Sequence, residues 1–375
     1  MERVDVRTDR PFGVGIVGLS ARGGWAATAH VPAIENVPGL ELRALTASSP
    51  ASAAQAGEKF AVRPHTDVSA LAQDPEVDLV VIAVKVSTHK RLVEPALSAG
   101  KMVFCEWPLG NGTAEARGLT EQAASSGVRT FVGLQARATP AIRYLRDLVA
   151  DGYVGRVLST TLTASGISWG DQTLPGKTYL LDRNEGASML TIPAAHTLDA
   201  LQFVLGDFES IQATTAIRRR QVRMGNNPGE LHTKTVADQV VVQGLVGDGA
   251  VAVTHFRGGR SRGTNFRWEI NGTDGDIVIH GDAGAFLEYG QLHLFGARGE
   301  MPELAPLPTP SSYIDVAALP EHGSDAFTVA HAYAQIAGDI ANGTSLVPDF
   351  AHALRLHHFI DSIEGSAERG VRLSL

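Results

Sequence analysis

The chain has 375 residues, of which 44% are hydrophobic and 19% charged, a balance typical of folded globular proteins and not of disordered ones. Acidic residues outnumber basic ones by 40 to 32. The resulting formal net charge of −8 gives the whole protein no electrostatic attraction to nucleic acid or to an anionic membrane. A chain of this length is typical of about two domains.

The single cysteine, Cys105, excludes an internal disulfide, which fits a reducing compartment. The first ten residues, MERVDVRTDR, lack the apolar core of a signal peptide. The apolar run at residues 79–84 is far shorter than the roughly 18 residues that a membrane helix needs. We therefore expect a cytoplasmic protein with no membrane partner.

The first third of the chain alternates short apolar runs with segments of helical periodicity. The runs are rich in Val, Ile and Leu with little alternation, as is typical of strands buried on both faces of a parallel sheet. This pattern predicts an α/β protein whose N-terminal domain, residues 11–136, is a Rossmann-type doubly wound parallel sheet. The predicted strands are residues 14–17, 42–46, 79–84, 103–105 and 130–134.

After residue 136 the pattern changes to many short strand-like segments separated by turn pairs such as Asp274-Gly275. We predict a C-terminal α+β domain at residues 137–375, built on an open and largely antiparallel sheet. Helices are expected at residues 141–150, 326–342 and 351–363, a hairpin at 240–242 and 250–253, and an exposed loop at 305–312.

Gly13, Gly15 and Gly18 form a G-x-G-x-x-G pattern, the formal fingerprint of a dinucleotide-binding loop. Its middle lies inside the first predicted strand, whereas a phosphate loop needs its glycines after the strand and at the helix start. We therefore place the phosphate loop at residues 18–24, GLSARGG, which lead into a helix near Trp25.

In this loop Gly18 permits the tight turn, and Gly23 or Gly24 lets backbone N–H groups approach a pyrophosphate at the helix N-terminus. Ser20 stands where the second glycine usually lies, and its hydroxyl is able to donate to a phosphate. The alternative is an ordinary glycine-rich turn. The residues expected around the pyrophosphate are Gly18, Ser20, Ala21, Arg22, Gly23 and Gly24.

The end of the second strand discriminates between NAD and NADP. An acidic residue there binds the adenosine ribose 2′-hydroxyl of NAD and repels the 2′-phosphate of NADP. Residues 44–49 read ALTASS, with no acid. Ser48 and Ser49 are able to donate to a phosphate and Arg22 supplies positive charge, so the sequence favours NADP over NAD.

Taken in order along the chain, these and later segments resemble the glucose–fructose oxidoreductase/inositol dehydrogenase (Gfo/Idh/MocA) family. Within that family the chain is most similar to the branch of fungal galactose-regulon repressors. The resemblance spans most of the chain. It is carried by GLSARGGWAATAHVPAI at 18–34, VVIAVKVSTH at 80–89, FCEWPL at 104–109, LQARATPAIRYLRDLVADGYVG at 134–155, HTLDALQF at 196–203 and INGTDGDIVIHGDAGA at 270–285.

The resemblance implies a Rossmann domain followed by an α/β domain whose open sheet often forms a dimer interface. Family enzymes carry Glu-Lys-Pro where this chain has Glu106-Trp107-Pro108, and an indole cannot exchange a proton near neutral pH. Glu106 remains able to bind the cofactor ribose. A family Asp, four residues before His196, is Ile192 here, and Asp199 is expected to orient that region. Further residues expected beside the cofactor are Val84, Lys85, His89, Trp107 and Gln135.

The resemblance implies NAD(P)-dependent redox chemistry on a sugar, polyol or related small carbonyl compound. His196 is then the candidate acid–base residue, because histidine is the side chain type that ordinarily changes charge near neutral pH. Lys85, Lys177 and Tyr179 are more remote candidates. The rival interpretation is a catalytically silent NAD(P)-binding regulator that acts through a protein partner. A tightly bound, recycled cofactor is a third interpretation, which nothing in the sequence favours.

Several residues also have plain structural interpretations. His89 fits a capping or packing role as well as a cofactor contact, whereas for His196 a site role is favoured over that of a core histidine. Trp107 fits a wall residue as well as a cover for the nicotinamide, and Trp169 fits a loop anchor better than a sugar-stacking platform. Cys105 is expected to be a buried strand residue. The basic run 218–220 fits a solvated loop or an oligomer contact better than a nucleic-acid site. The 13 histidines show no spacing typical of a metal site.

Overall fold

The computed structural model describes residues 10–287, 289, 291–320 and 324–375. The chain divides into two compact units, one formed by Met1–Gln135 with Asp315–Arg355 and the other by Ala136–Ile314 with Leu356–Leu375. The first division lies next to the predicted boundary at residue 136. The segment from Asp315 to Arg355 differs from the prediction, because it belongs to the first unit and not to a continuous C-terminal domain.

The first unit contains a six-stranded parallel sheet in the order β3-β2-β1-β4-β5-β6. The strand order reverses between β1 and β4, so the sheet is doubly wound, as predicted. The five predicted strands are confirmed, although β4 ends two residues before the expected Val84. The two-residue edge strand β3 was missed. The strands are β1 Phe12–Val17, β2 Leu40–Thr46, β3 Arg63–Pro64, β4 Leu79–Ile82, β5 Met102–Glu106 and β6 Thr130–Gly133.

Two of the three glycines of the formal motif, Gly13 and Gly15, lie inside β1 and serve its packing. A Cβ on Gly13 would lie 1.7 Å from the carbonyl oxygen of Glu76, and one on Gly15 would lie 2.8 Å from Cδ2 of Leu71. Both positions therefore need glycine for close approach of neighbouring chain segments. They have no part in a phosphate loop.

The second unit contains a nine-stranded sheet in the order β17-β16-β15-β14-β7-β13-β12-β9-β18, in which only β7 and β13 pair in parallel. A small sheet, β11-β10-β8, accompanies it. The predicted largely antiparallel α+β architecture is confirmed. The strands are β7 Val157–Gly166, β8 Gln172–Thr173, β9 Phe208–Ala216, β10 Gln221–Met224, β11 Asn227–Thr233, β12 Gln239–Val246, β13 Ala250–Gly258, β14 Phe266–Gly272, β15 Gly275–Gly281, β16 Leu292–Arg298, β17 Ala305–Pro306 and β18 Leu373–Ser374.

Nine α-helices lie within the described residues, and none of the helices there is both long and apolar enough to cross a lipid bilayer. They are α1 Val31–Asn36, α2 Pro50–Phe60, α3 Val68–Ala72, α4 His89–Ser98, α5 Thr113–Ser126, α6 Pro140–Ala150, α7 Ala195–Leu205, α8 Ala326–Asn342 and α9 Phe350–Arg369. Two π-helical segments, Ala26–His30 and Leu190–Ala194, run directly into α1 and α7.

Helix α8 explains why the returning segment belongs to the first unit. Its side chains Val329, Tyr333 and Ile336 are fully buried in one core with Ile16 of β1 and Phe104 of β5. Burial of large apolar side chains is the main stabilising contribution to such a contact. The periodicity of residues 326–342 predicts the helix correctly, but a helical period does not indicate which sheet the apolar face covers.

Candidate functional site

The turn after β1 closes tightly against the neighbouring strands. Gly18 has a φ of +95°, and the N–H groups of Gly18 and Leu19 both donate to the carbonyl oxygen of Thr46, at 3.0 and 3.1 Å. A Cβ on Gly18 would lie 2.3 Å from Cγ1 of Val84, beyond the end of β4. Only glycine satisfies both the positive φ and this close approach.

Gly23 and Gly24 lie in a different environment. Their φ values are +106° and +99°, and a Cβ on either would meet no atom within 4 Å. The carbonyl of Gly24 accepts from the N–H groups of Ala27 and Thr28 at 2.9 and 3.0 Å, so the helical segment starts directly after the loop. Open space bounded by backbone at the start of a helix is what a pyrophosphate group requires.

Ser20, Arg22 and Lys59 determine the charge and shape of this loop. Ser20 Oγ accepts from the Arg22 N–H at 3.1 Å, so the hydroxyl oxygen holds the turn. The Arg22 side chain is exposed, and Lys59 Nζ donates to the carbonyl oxygen of Ala21 at 2.8 Å. Lys59 thus adds a second cation beside the loop, a residue that the sequence analysis missed because it lies on α2, 38 positions away.

Ser48 and Ser49 follow the end of β2, and both are exposed. Ser49 Oγ accepts from the N–H of Ser52 at 3.2 Å and so caps α2. That role occupies one lone pair of Ser49. Contacts of Ser48 and Ser49 with a cofactor phosphate stay predictions.

His89 joins the ends of two neighbouring strands. It is 1% exposed, with Nδ1 2.9 Å from the carbonyl oxygen of Pro108 and Nε2 3.1 Å from that of Val84. Burial lowers the pKa of His89 below its usual value. These contacts match the packing interpretation of His89, and a direct cofactor contact stays a prediction. Lys85, in the same strand-end turn, is exposed.

Cys105 lies within β5, fully buried, with Sγ 3.3 Å from His89 Nδ1. Burial raises the pKa of the Cys105 thiol well above its usual value. The thiol therefore stays protonated and unreactive, which confirms the expected buried strand cysteine.

Glu106 is the last residue of β5 and lies among polar side chains. Gln135 Nε2 donates to Glu106 Oε1 at 2.8 Å and to Oε2 at 3.0 Å, and His30 Nε2 lies 2.9 Å from Oε1. The structure thus joins two of the predicted cofactor residues, Glu106 and Gln135. His30 was not among the candidates. Trp107 is only 5% exposed, so its indole is part of the protein interior.

In the second unit, His196 lies on the first turn of α7, directly after the π-helical segment Leu190–Ala194. The side chain is 4% exposed, and its Nδ1 has no hydrogen-bond partner. Leaving a buried polar atom unpaired costs about 1–3 kcal/mol, so such atoms are rare. Single π turns inside helices also occur frequently at functional sites. A ligand-binding role for His196 stays a prediction that both features support.

Asp199 lies one turn further along α7 and pairs with Arg137. Arg137 Nε and Nη2 donate to the two carboxylate oxygens at 2.5 and 2.8 Å, and the guanidinium lies 4.9 Å from the ring centre of Phe203. A bidentate pair of this kind is a geometrically specific contact. Asp199 therefore holds α7 through Arg137.

The remaining candidates of the second unit are structural or exposed. Trp169 is 1% exposed, donates from Nε1 to the carbonyl oxygen of Leu180 at 2.9 Å and stacks on Phe286, which confirms the loop-anchor interpretation. Lys177 is exposed. Burial raises the pKa of Tyr179, so this phenol is a poorer acid than usual.

The basic run 218–220 is exposed, and two of its backbone N–H groups, those of Arg218 and Arg219, donate to Asp238 at 2.8 Å each. Asp238 also pairs with the buried Lys234 at 2.8 Å. Burial would raise the pKa of Asp238, but the bonds from Lys234 and the two N–H groups lower it below its usual value. The run 218–220 thus belongs to a surface loop whose backbone is hydrogen-bonded to the buried Asp238–Lys234 ion pair.

Comparisons with known proteins agree with this geometry. Residues 12–134 match a model described as an oxidoreductase family with an NAD-binding Rossmann fold, and residues 140–281 match the C-terminal domain of Gal80p. Dehydrogenase aclE of Aspergillus oryzae is 31% identical over 283 residues, which cover 72% of this chain and 76% of that protein. The chain belongs to the Gfo/Idh/MocA oxidoreductase family.

Other members of this family are equally similar. The galactose/lactose metabolism regulatory protein GAL80 of Saccharomyces cerevisiae is 29% identical over 309 residues, covering 76% of this chain and 70% of the relative. The crystal structure of a super-repressor mutant of Gal80p from the same organism has a TM-score of 0.88 at 26% identity, covering 97% of both chains. This family member is thus similar to both a dehydrogenase and a regulator.

We predict that Gly18→Ala lowers the free energy of unfolding of the first unit by about 3 kcal/mol, because the new methyl group meets Val84 at a strained φ. Hydrogen exchange of the β1 and β4 amides measures this loss. Gly112→Ala is the matched control, since Gly112 has a φ of +88° with no atom near the added Cβ, and we expect a loss of about 1 kcal/mol. Equal losses in the two variants would contradict the packing role of Gly18.

Proposed function

We propose that the first unit binds a nicotinamide dinucleotide, with its pyrophosphate at the loop of residues 18–24. The observation that carries this proposal is the open space at Gly23 and Gly24, directly before a helical segment and at the reversal of strand order in the sheet. Glu106, held by Gln135, is proposed to accept hydrogen bonds from the ribose next to the nicotinamide.

We propose NADP as the preferred cofactor. No acidic residue follows β2 to repel a 2′-phosphate, and Ser48 is exposed there. The exposed guanidinium of Arg22 and the ammonium of Lys59, bonded to the loop, supply the positive charge that a phosphate would need.

Arg22→Ala tests this preference. We expect the dissociation constant for NADPH to rise about tenfold, the loss of one charge-assisted hydrogen bond, while that for NADH changes less than about twofold. Titration calorimetry measures both constants. Arg91→Ala, which removes an exposed arginine from α4, is the control and should change neither. Equal weakening of NADH and NADPH by Arg22→Ala would refute the assignment of Arg22 to the 2′-phosphate.

We propose redox chemistry on a sugar, polyol or related small carbonyl compound, with His196 as the acid–base residue. Hydride transfer between nicotinamide and a carbinol also moves a proton, and a positioned acid or base contributes about 10²–10⁴-fold to the rate. The buried and unpartnered Nδ1 of His196 supports this role. Trp107, in the position of the family lysine, cannot supply the proton.

The second candidate function is a catalytically silent nucleotide-binding regulator that acts through a protein partner. Trp107 and Ile192 favour it, since they replace the lysine and the aspartate of the family motifs. The similarity to the regulatory protein GAL80 supports it as well. In this function His196 binds the hydroxyl of a ligand without transferring its proton.

A substrate panel distinguishes the two functions. The protein is mixed with NADP or NADPH and a series of sugars, polyols and their carbonyl forms, while the absorbance of the reduced ring is followed. For the enzyme we expect turnover that falls about 10²–10⁴-fold in His196→Ala and stays unchanged in His293→Ala, which alters an exposed histidine of β16. Tight nucleotide binding with no turnover on any compound would establish the regulator and refute the enzyme.

We further propose a cytoplasmic homodimer joined through the open face of the nine-stranded sheet. Val251 and Val253 of β13 are 53% and 37% exposed on one face, while Ala252, Thr254 and Phe256 of the same strand are fully buried on the other. Exposed aliphatic side chains on a flat sheet face are typical of an interface. Cys105 would stay a free thiol in that compartment.

Val253→Asp should convert the dimer to a monomer, because a carboxylate at the centre of an apolar interface loses its hydration without a partner. Light scattering of the eluting protein gives the mass. Leu231→Asp is the control, since Leu231 is 57% exposed on β11 of the small sheet and should leave the dimer intact. A wild-type monomer, or a dimeric Val253→Asp variant, would refute the interface.

A further inference from the structure

Four polar side chains of the first unit form a connected cluster beside the end of β5. The hydroxyl of Tyr333 lies 2.8 Å from Nδ1 of His30, Nε2 of His30 lies 2.9 Å from Oε1 of Glu106, and Gln135 donates to both oxygens of Glu106. The four residues come from four separate parts of the chain, the segment before α1, β5, the turn after β6 and helix α8. No local sequence motif contains the cluster.

The imidazole at the centre of the cluster is shielded from water. His30 and Tyr333 are both 0% exposed. The rings of Trp25, Phe104 and Tyr333 surround His30, with centroid distances of 6.2, 5.7 and 5.8 Å. Polar contacts inside such an enclosure are stronger than on the surface, because the local dielectric is low.

The contacts assign the protons of the cluster. Burial raises the pKa of Tyr333 well above its usual value, so the hydroxyl keeps its proton. A neutral imidazole has one donor and one acceptor nitrogen. If Nδ1 carried the hydrogen, the lone pair of Nε2 would face the Glu106 carboxylate at 2.9 Å, which is repulsive. For a neutral His30, therefore, Tyr333 donates to Nδ1 and the Nε2–H faces Glu106.

One polar contact in the cluster, between His30 and Glu106, lacks the geometry of a hydrogen bond. His30 Nε2 is close to Glu106 Oε1 but not aligned with it as a hydrogen bond, so this buried nitrogen has no hydrogen-bond partner. A carboxylate has about four acceptor sites, so Glu106 is able to accept from Gln135 and His30 together.

We propose that Tyr333 and His30 are positioning residues that orient the Glu106 carboxylate for the ribose next to the nicotinamide. The proposal rests on the proposed function of the first unit. His30 ends the π-helical segment that starts after the phosphate loop, and Tyr333 belongs to α8. The cluster therefore couples nucleotide binding to the attachment of α8, a helix contributed by the C-terminal part of the chain.

The experiment compares whole dinucleotides with a fragment that lacks the nicotinamide ribose. NADPH, NADH and ADP are titrated calorimetrically into the wild-type protein and into Tyr333→Phe and His30→Gln. We expect both variants to weaken dinucleotide binding about tenfold, the loss of one buried hydrogen bond, and to change ADP binding less than about twofold. Tyr313→Phe is the matched control, since its hydroxyl donates to Asp147 at 2.8 Å in the second unit, and should change none of these constants.

A spectroscopic readout separates positioning from general support of the fold. Nitrogen NMR of His30 should show the hydrogen on Nε2 in the wild-type protein and a mixture of tautomers in Tyr333→Phe, where the donor to Nδ1 is lost. Tyr333→Phe deletes a single oxygen atom, so it carries the test even if His30→Gln does not fold.

Three results overturn the inference. These are unchanged dinucleotide affinity in Tyr333→Phe, equal weakening of ADP and dinucleotides, or a wild-type His30 with its hydrogen on Nδ1. Failure of the proposed function is distinguishable, because the wild-type protein would then bind neither dinucleotide nor ADP before any variant is compared. In that case the NMR measurement still tests the hydrogen bond between Tyr333 and His30, and the absence of nucleotide binding overturns the positioning role.

Discussion

The first unit depends on one close approach, that of Gly18 to the end of β4. The backbone there lies so close to Val84 that a single methyl group would overlap it, and the same turn donates two hydrogen bonds to Thr46 at the end of β2. Three strand ends are thus held together at the reversal of strand order. A doubly wound sheet places its ligand at that point, because the helices before and after it lie on opposite faces and leave a crevice. Within the loop of residues 18–24, Gly18 makes the close contact with Val84, whereas Gly23 and Gly24 border open space.

Buried polar groups hold the elements that carry the candidate residues. His89 joins the carbonyl groups of Val84 and Pro108, Asp199 binds Arg137, and Asp238 binds Lys234. A buried charge without a partner costs several kcal/mol, whereas these carboxylates each have a cation and aligned donors. Eight buried side-chain atoms of the described residues have no hydrogen-bond partner, and two of them, His30 Nε2 and His196 Nδ1, belong to residues with a proposed role. The first faces a carboxylate at 2.9 Å, and the second has no partner at all.

Much of the fold could be predicted from the sequence, because the strands of the parallel sheet are runs of Val, Ile and Leu with little alternation. The edge strand β3, Arg63–Pro64, could not be predicted, since two exposed residues are too few to show a hydrophobic period. The return of α8 to the first unit could not either, since an apolar helix face does not specify its partner sheet. Of the candidate site, Gly18, Glu106 and His196 follow from motif position. Lys59 and the His30–Tyr333 contact do not, since they join residues 38 and 303 positions apart. Contacts of that kind depend on the packed tertiary structure.

The two proposed functions, enzyme and regulator, rely on the same two features of the structure. Both need the loop of residues 18–24 for a nucleotide and both use the unpartnered nitrogen of His196, which would recover its cost of about 1–3 kcal/mol by bonding a hydroxyl-bearing ligand. Only proton transfer separates an enzyme from a regulator. An indole at Trp107 has an N–H donor and no acceptor, so it binds but does not exchange protons. In the proposed enzyme the proton is therefore assigned to His196, since this chain has no lysine at position 107. The proposed chemistry therefore depends on whether the hydroxyl bound by that nitrogen belongs to the carbon that gives up the hydride.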